Sequence, residues 1–336
     1  MNNRDKQLDI YRGVTMIYIV CIVHVVHWLM YVYEPLSSLM LVEMPVIFFI
    51  SGASLGMSNS KRKVVETVFN RAKRVLVPYW IYAAVSLIIL AALTFSIPEQ
   101  YDISQYSYKT FVRVALTLDI PQMPLMAHVW FILPYMILMS LFPLQRSLAN
   151  RGGYILLCIS LFATSCLFNK CPAIVREVLC YNIFVLLGFC FYRKTTRRQV
   201  MVLLSIAFTV FILLLSIGAQ ICPMNANKFP PNMLFFSYGI IAISMLSLIL
   251  WKVRLPETRI ISLWNKHGYT IYLYQNIVYA LFIALGQHVP FFAQRGFFGF
   301  ILSVICIFVL STLLSMVTYP LEKFIISHIY SLQLKR

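Results

Sequence analysis

Long apolar runs alternate with short polar stretches along the whole chain of 336 residues. A helix needs about 20 mostly apolar residues to cross the hydrocarbon core of a bilayer, and ten runs come close to that length. These runs are 10–32, 36–57, 75–96, 127–146, 153–169, 177–192, 199–219, 233–251, 268–288 and 297–319. We therefore predict an all-α, polytopic transmembrane helix bundle of about ten spans, in which the fifth and sixth are the shortest.

The composition of the chain is that of a membrane protein. Apolar residues make up 60% of the sequence and charged residues 12%, whereas a soluble protein has about 25% charged residues. A water-soluble globule is thereby excluded. Because only 14 residues follow Glu322, we predict a single transmembrane domain over 1–336 with no appended soluble domain. The Cys and His residues show no spacing typical of a metal site.

The formal net charge of +17 reflects 28 basic residues against 11 acidic ones. Loops rich in Lys and Arg stay on the cytoplasmic side of a membrane. With a cytoplasmic N-terminus and ten spans, 22 of the 28 basic residues fall in cytoplasmic segments. We therefore predict cytoplasmic N- and C-termini and a multi-pass protein of the cell (inner or plasma) membrane, surrounded by membrane lipids. This distribution explains the basic charge without a nucleic-acid partner.

Two histidines lie within the first apolar run, where an ionisable group is costly and is a functional candidate by default. Along a helix, His24 lies about 18 Å beyond Arg12, which is at the cytoplasmic mouth of the span. An imidazole is neutral near pH 7 and can take a proton from a hydroxyl group. His24 is therefore the candidate catalytic base, with His27 as its competitor. The alternative is an imidazole hydrogen-bonded to a neighbouring helix.

Arg71 and Arg74 precede the third apolar run and are three residues apart, so that they share one face of a helix. Guanidinium groups bind phosphates well. Together with Arg12 at the same depth, the pair predicts a cytoplasmic pocket for a phosphate-bearing ligand. The alternative is that these arginines only anchor the chain by the positive-inside rule.

Three further residues are candidates for the outer, acceptor-binding side. Glu43 lies within the second run and could orient a histidine or bind a sugar hydroxyl, and a structural role as partner of His27 is the alternative. His128 and Trp130 begin the fourth run from the outside. Trp130 could stack against a sugar ring or anchor the helix at the membrane interface.

Several short motifs together resemble one known family, the integral-membrane acyltransferase family 3, which includes polysaccharide O-acetyltransferase-like proteins. In chain order they are Leu8-Asp9-Ile10-Tyr11-Arg12-Gly13, a histidine on the same helix, Pro45-Val46-Ile47-Phe48-Phe49-Ile50-Ser51-Gly52, Arg71-x-x-Arg74-x-x-x-Pro78-Tyr79-Trp80, His128-Val129-Trp130-Phe131, Gly268-Tyr269-Thr270-Ile271-Tyr272-Leu273 and Tyr319-Pro320-Leu321-Glu322. Each motif alone is weak, but the ordered set covers essentially the whole chain.

The resemblance implies transfer of an acyl group, usually acetyl, from cytoplasmic acyl-CoA to a glycan or lipid-linked sugar. By that likeness Arg12, Arg71 and Arg74 hold the phosphates of acetyl-CoA, and His24 is the catalytic base. We therefore predict a membrane O-acetyltransferase that modifies a cell-surface polysaccharide or its lipid-linked precursor. The alternatives are a multi-span transporter or flippase for an anionic or lipid-linked solute, and a non-catalytic subunit of a polysaccharide-synthesis complex.

Two departures from the family pattern bear on the site. The family usually has ten residues between the arginine and the histidine of the first helix, whereas eleven separate Arg12 from His24. Twelve α-helical steps leave the two side chains about 120° apart, where eleven steps leave them about 20° apart. A one-residue π-bulge would restore the facing; otherwise His27, about 60° off, competes. The second departure is Gln275, where many members of the family have a histidine.

Overall fold

The computed structural model describes residues 5–29, 33–57, 64–96, 99, 102–117, 124–167, 170–250, 253–293 and 296–334. Within these ranges the structure is all-helical and has no strand. The α-helices are α1 (Lys6–Ile17), α2 (His24–Leu29), α3 (Leu36–Leu39), α4 (Glu43–Met57), α5 (Val64–Ser96), α6 (Tyr108–Thr117), α7 (Ile132–Leu167), α8 (Ala173–Phe191), α9 (Arg197–Ser216), α10 (Met224–Lys228), α11 (Met233–Leu250), α12 (Arg259–His288) and α13 (Gly296–Leu334). A π-helix joins α1 to α2, and 3₁₀ turns cover Ile103–Gln105, Ala127–Phe131 and Pro290–Ala293.

Nine helical segments in the described part of the chain are long and apolar enough to cross a membrane. They are Lys6–Leu29, Leu36–Met57, Val65–Phe95, Ala127–Gly153, Ala173–Phe191, Arg197–Ser216, Met233–Leu250, Arg259–His288 and Gly296–Ile329. These segments match nine of the ten predicted spans and confirm the polytopic helical fold. The run at 153–169 is the exception.

Helix α7 shows why this run is not counted as a span. At Gly152 the backbone leaves the helical region (φ −157°, ψ 52°), so that two helices meet at a kink. Adjacent glycines are a common cause of such kinks, and Gly153 follows directly. The helical part after the kink, 153–167, is about 22 Å long, which is shorter than the hydrocarbon core of about 30 Å. Cytoplasmic location of both termini requires an even number of crossings and stays a prediction.

Polar side chains begin several helices. Asp5 caps α1 by accepting a hydrogen bond from the backbone N–H of Gln7, which satisfies one of the amide groups left open at a helix N-terminus. Thr196 and Gln199 form a reciprocal capping box at the start of α9. These helices begin at Lys6 and Arg197, a few residues before the predicted apolar runs at 10 and 199, because the caps lie in the basic segments that precede the runs.

Contacts between Cα atoms divide the chain into two compact units. Unit 1 comprises Met1–Ile19, Val26–Arg62 and Ser140–Asn265, and unit 2 comprises Val20–Val25, Lys63–Met139 and Lys266–Arg336. In unit 1, α4 packs against α1, α8 and α11, and α9 packs against α11. In unit 2, α5 packs against α13.

Glycines allow the closest helix contact in unit 1. A Cβ atom on Gly52 of α4 would lie 1.9 Å from the carbonyl oxygen of Val185 on α8, and one on Gly188 would lie 2.0 Å from that of Phe49. Small residues let membrane helices approach closely. Gly52 and Gly56, four residues apart, both face α8, so that this pair of glycines serves helix packing.

Aromatic residues dominate the core of unit 2. Tyr79 and Tyr82 of α5 are fully buried and pack with Leu273, Tyr274 and Ile277 of α12. Both α5 tyrosines donate their hydroxyl hydrogen to main-chain carbonyl groups in other parts of the unit. This packing fixes the position of α12, which bears most of the polar groups described below.

The first helix contains the irregularity that the spacing of Arg12 and His24 requires. Residues Tyr18–Val23 form a π-helix between α1 and α2, and a π segment accommodates an extra residue within a helix. Its backbone is stabilised from α12, because the hydroxyl of Tyr279 donates to the carbonyl oxygen of Val20 at 2.8 Å. Of the two alternatives left open by the sequence, the π-bulge is the one present.

Candidate active site

His24, at the start of α2, forms a side-chain hydrogen bond with α12. Its Nδ1 atom lies 2.9 Å from Oε1 of Gln275. A carboxamide oxygen can only accept a hydrogen bond, so Nδ1 of the ring must be protonated and donate. In this tautomer the lone pair of the imidazole is on Nε2, which is the atom that could take up a proton. Gln275, the departure from the family pattern, is thus the partner of the candidate base.

Tyr272 on α12 brings a second histidine next to His24. Its ring centre lies 5.7 Å from that of His24 and 5.4 Å from that of His128. The Tyr272 hydroxyl also donates to the carbonyl oxygen of His128 at 2.7 Å. Unit 2 therefore brings together His24 and His128, two residues that the sequence analysis selected independently.

His128 is held from both sides of its ring. Its side chain is buried, and its Nε2 atom donates to the carbonyl oxygen of Leu273 at 3.0 Å. Nδ1 then accepts from the amide of Asn276 at 3.2 Å. The edge of the ring also contacts Tyr82. His128 is therefore a neutral, fixed side chain that orders the 3₁₀ turn at the start of the fourth span.

Trp130 belongs to the same aromatic group. Its ring meets that of Phe131 edge to face at 6.4 Å, and Phe131 meets Tyr272 in the same way at 5.1 Å. Trp130 is half-buried. A half-buried indole next to the histidine pair has a surface on which a sugar ring could stack, and it equally suits an interface anchor.

Arg71 and Arg74 lie inside α5, since this helix begins at Val64, eleven residues before the predicted span. Arg71 is half-buried, with Nη1 3.0 Å from Sδ of Met139, and Arg74 is exposed. Lys73 between them is buried, and its ammonium group lies over the ring of Phe69. This end of α5 in unit 2 therefore has a concentrated positive charge suited to an anionic ligand.

Arg12 lies in unit 1 and is held by polar groups from three helices. Nη2 donates to Oγ of Ser54 on α4 at 2.7 Å, and Nη1 lies 3.4 Å from Oδ1 of Asn265 on α12. Asp9 on α1 forms an ion pair with the same nitrogen at 3.4 Å. The Arg12 side chain remains 30% exposed, so that an anion can approach a guanidinium whose orientation is already fixed.

Glu43 and His27 have other partners, both in unit 1. Glu43 is buried and forms a close ion pair with the buried Lys228 of α10. His27 donates from Nε2 to the main-chain carbonyl of Ser37 at 2.9 Å. Glu43 therefore has Lys228 as its partner. His27, the competing candidate for the base, is hydrogen-bonded to the backbone.

The family motifs on α12 and α13 contact each other within unit 2. The hydroxyl of Thr270 donates to Oε2 of the buried Glu322 at 2.9 Å. The rings of His267 and Tyr319 meet edge to face with centres 4.3 Å apart. Two motifs that are about 50 residues apart in the sequence therefore connect α12 and α13 within unit 2.

The sequence analysis missed several polar partners, namely Asn276, Lys228, Ser54 and Asn265. Asn276 directly follows Gln275 on α12, so that two adjacent carboxamides in an apolar run were an available signal. Lys228 is one of the six basic residues outside the predicted cytoplasmic segments. Its distance of 185 positions from Glu43 left no local pattern to detect.

Comparison with known proteins places the chain in a family. A family model described as an acyltransferase domain, that of the acyltransferase-3 family, matches residues 5–320. No curated protein and no solved structure matches the chain. The matched range contains all the candidate-site residues described above except Glu322, and it covers nearly the entire chain. The chain therefore belongs to the acyltransferase-3 family and is a multi-pass membrane acyltransferase.

Proposed function

We propose that this acyltransferase moves an acetyl group from cytoplasmic acetyl-CoA to a hydroxyl group of a cell-surface polysaccharide or lipid-linked sugar. Membership of the family supports acyl transfer. The observation that supports His24 as the base is its hydrogen bond to Gln275. A neutral imidazole with Nδ1–H bound to a fixed acceptor is a recurrent arrangement for general base catalysis.

The proposed reaction uses His24 twice. Nε2 accepts the proton of the acceptor hydroxyl while the hydroxyl oxygen bonds to the thioester carbonyl carbon. As the bond from that carbon to sulfur breaks, the imidazolium returns the proton to the sulfur of CoA. One ester and one thiol are formed, and His24 ends in its starting tautomer. General acid–base catalysis of this kind contributes about 100- to 10,000-fold to a rate.

The three arginines are proposed to bind the donor. Guanidinium groups match the oxygen geometry of phosphates, and CoA carries several phosphates. Arg12 is already oriented by Ser54 and Asn265. Arg71 and Arg74 belong to unit 2, whereas Arg12 belongs to unit 1. We expect substitution of any of the three arginines to weaken donor binding.

The acceptor is proposed to be a sugar hydroxyl, and the protein to reside in the cell (inner or plasma) membrane. Trp130, half-buried beside Phe131, suits stacking against a sugar ring. His128 is proposed to shape the acceptor side by fixing the neighbouring turn rather than by titrating. Glu43, paired with Lys228, is proposed to have a structural role within unit 1.

Membrane vesicles containing the protein and a surface glycan provide the test. With radiolabelled acetyl-CoA, we expect label in the glycan and release of free CoA thiol from wild-type vesicles, and neither from His24→Ala vesicles. Purified protein should bind acetyl-CoA, and Arg12→Met should weaken that binding. Protein that neither binds nor consumes acetyl-CoA but moves a lipid-linked solute across proteoliposomes would show a transporter instead.

A further inference from the structure

Two adjacent carboxamides on α12 each contact one histidine. Gln275 accepts a hydrogen bond from Nδ1 of His24, and Asn276 donates one to Nδ1 of His128. The same ring atom is thus a donor in one histidine and an acceptor in the other. Since a neutral imidazole has one N–H, the two contacts select opposite tautomers.

The environment of Gln275 indicates that stability does not account for its presence. The side chain is fully buried, and its Nε2 atom has no hydrogen-bond partner among the described residues. A buried donor without a partner costs free energy that an apolar side chain of the same shape would not. The carboxamide oxygen nevertheless contacts Nδ1 of His24 at 2.9 Å. The nitrogen of the amide therefore costs free energy, while its oxygen makes this one hydrogen bond.

We infer that Gln275 is a positioning residue that holds His24 as the Nδ1–H tautomer and so keeps the lone pair on Nε2. This inference rests on the proposed function, because it assigns Gln275 a part in the same proton transfer. Gln275 acts through the imidazole and touches no substrate. The Gln275 oxygen can only accept a hydrogen bond, which is the contact that the Nδ1–H tautomer of His24 requires.

The test compares substitutions of similar size. Gln275→Met keeps the volume and removes the acceptor, and Gln275→Glu keeps an acceptor oxygen. Gln145→Leu is the matched control, because Gln145 is a half-buried glutamine on a spanning helix whose Oε1 also has no partner among the described residues. Acetyl transfer from acetyl-CoA is followed in vesicles, and thermal unfolding is measured in detergent.

We expect Gln275→Met to lower kcat about 10- to 100-fold, the scale seen when a hydrogen-bond partner that orients a metal-bound histidine is removed. The KM for acetyl-CoA should stay at its wild-type value. The midpoint of thermal unfolding should be at or above that of the wild type. Gln275→Glu should recover most of kcat, and Gln145→Leu should match the wild type. Unchanged kcat in folded Gln275→Met would overturn the inference.

A second readout does not depend on turnover. Nitrogen NMR of ring-labelled histidine, taken as the difference between wild type and His24→Ala, reports which ring nitrogen of His24 is protonated. We expect Nδ1–H in the wild type and its loss or mixing in Gln275→Met. The Nε2–H tautomer in the wild type, which an amide turned end for end would select, also overturns the inference. If the wild type consumes no acetyl-CoA, the proposed function is wrong. The tautomer of His24 still shows whether Gln275 orients its ring.

Discussion

His24 and His27 are three residues apart on the first helix, yet their surroundings differ in kind. His24 belongs to unit 2, where its Nδ1 atom donates to a side-chain amide and its ring lies near Tyr272. His27 belongs to unit 1, where its Nε2 atom donates to a main-chain carbonyl. The first contact places the lone pair on Nε2 and the second places it on Nδ1.

From this difference we propose that the partner of an imidazole, more than its depth in the membrane, determines its role. The surroundings of His24 contain aromatic rings, a second histidine and two carboxamides, which suit chemistry on a bound substrate. His27 lies in the same unit as the buried ion pair of Glu43 and Lys228, and such surroundings suit structural support. The predictions below test that division.

The largest expected effect separates the two histidines directly. His24→Ala should lower acetyl transfer about 100- to 10,000-fold, because it removes the proposed proton acceptor. His27→Ala should retain most of the wild-type rate. Acetyl content of the surface glycan in cells expressing each variant, corrected for protein amount, provides the measurement. The reverse pattern would assign the base to His27.

The second prediction concerns stability around His27. Lys228→Met leaves the Glu43 carboxylate buried without its ion-pair partner and should lower the free energy of unfolding by about 3–5 kcal/mol. The double variant Glu43→Leu/Lys228→Met should regain most of that loss, since both charges are removed together. Unfolding in detergent provides the measurement. Wild-type stability with loss of acetyl transfer in Lys228→Met would instead indicate that the pair acts on the acceptor.

The smallest effect is expected at Arg12, and it tests the proposed part of this residue in donor binding. Ser54→Ala removes one hydrogen bond to the guanidinium, a contribution of about 1 kcal/mol, and should raise the KM for acetyl-CoA about fivefold at unchanged kcat. Ser51→Ala is the matched control, since Ser51 donates to the backbone of its own helix. Equal KM values for the two variants would contradict the prediction.

Most of the fold was predictable because span length and apolarity follow directly from the thickness of a bilayer. Nine of the ten predicted spans correspond to helices in the described part of the chain that are long and apolar enough to cross a membrane. The run at 153–169 was assigned by composition alone, and the kink at Gly152 and the short helix after it depend on backbone geometry that composition does not encode.

The site was predictable only in part. His24 and His128 stand out in the sequence as ionisable groups in apolar runs, and so does Glu43. Their partners do not stand out, because Gln275 is 251 positions from His24 and Lys228 is 185 positions from Glu43. Such pairings arise from helix packing, and one sequence contains no local trace of them.

The π-helix at Tyr18–Val23 has a consequence for how the family should be searched. A motif written as an arginine and a histidine with a fixed number of residues between them would miss this chain. Two side chains of one helix share a face when the rotation between them about the helix axis is small, and a π turn can absorb an added residue within a helix. Patterns for this helix are therefore better written in degrees of rotation than in residue counts.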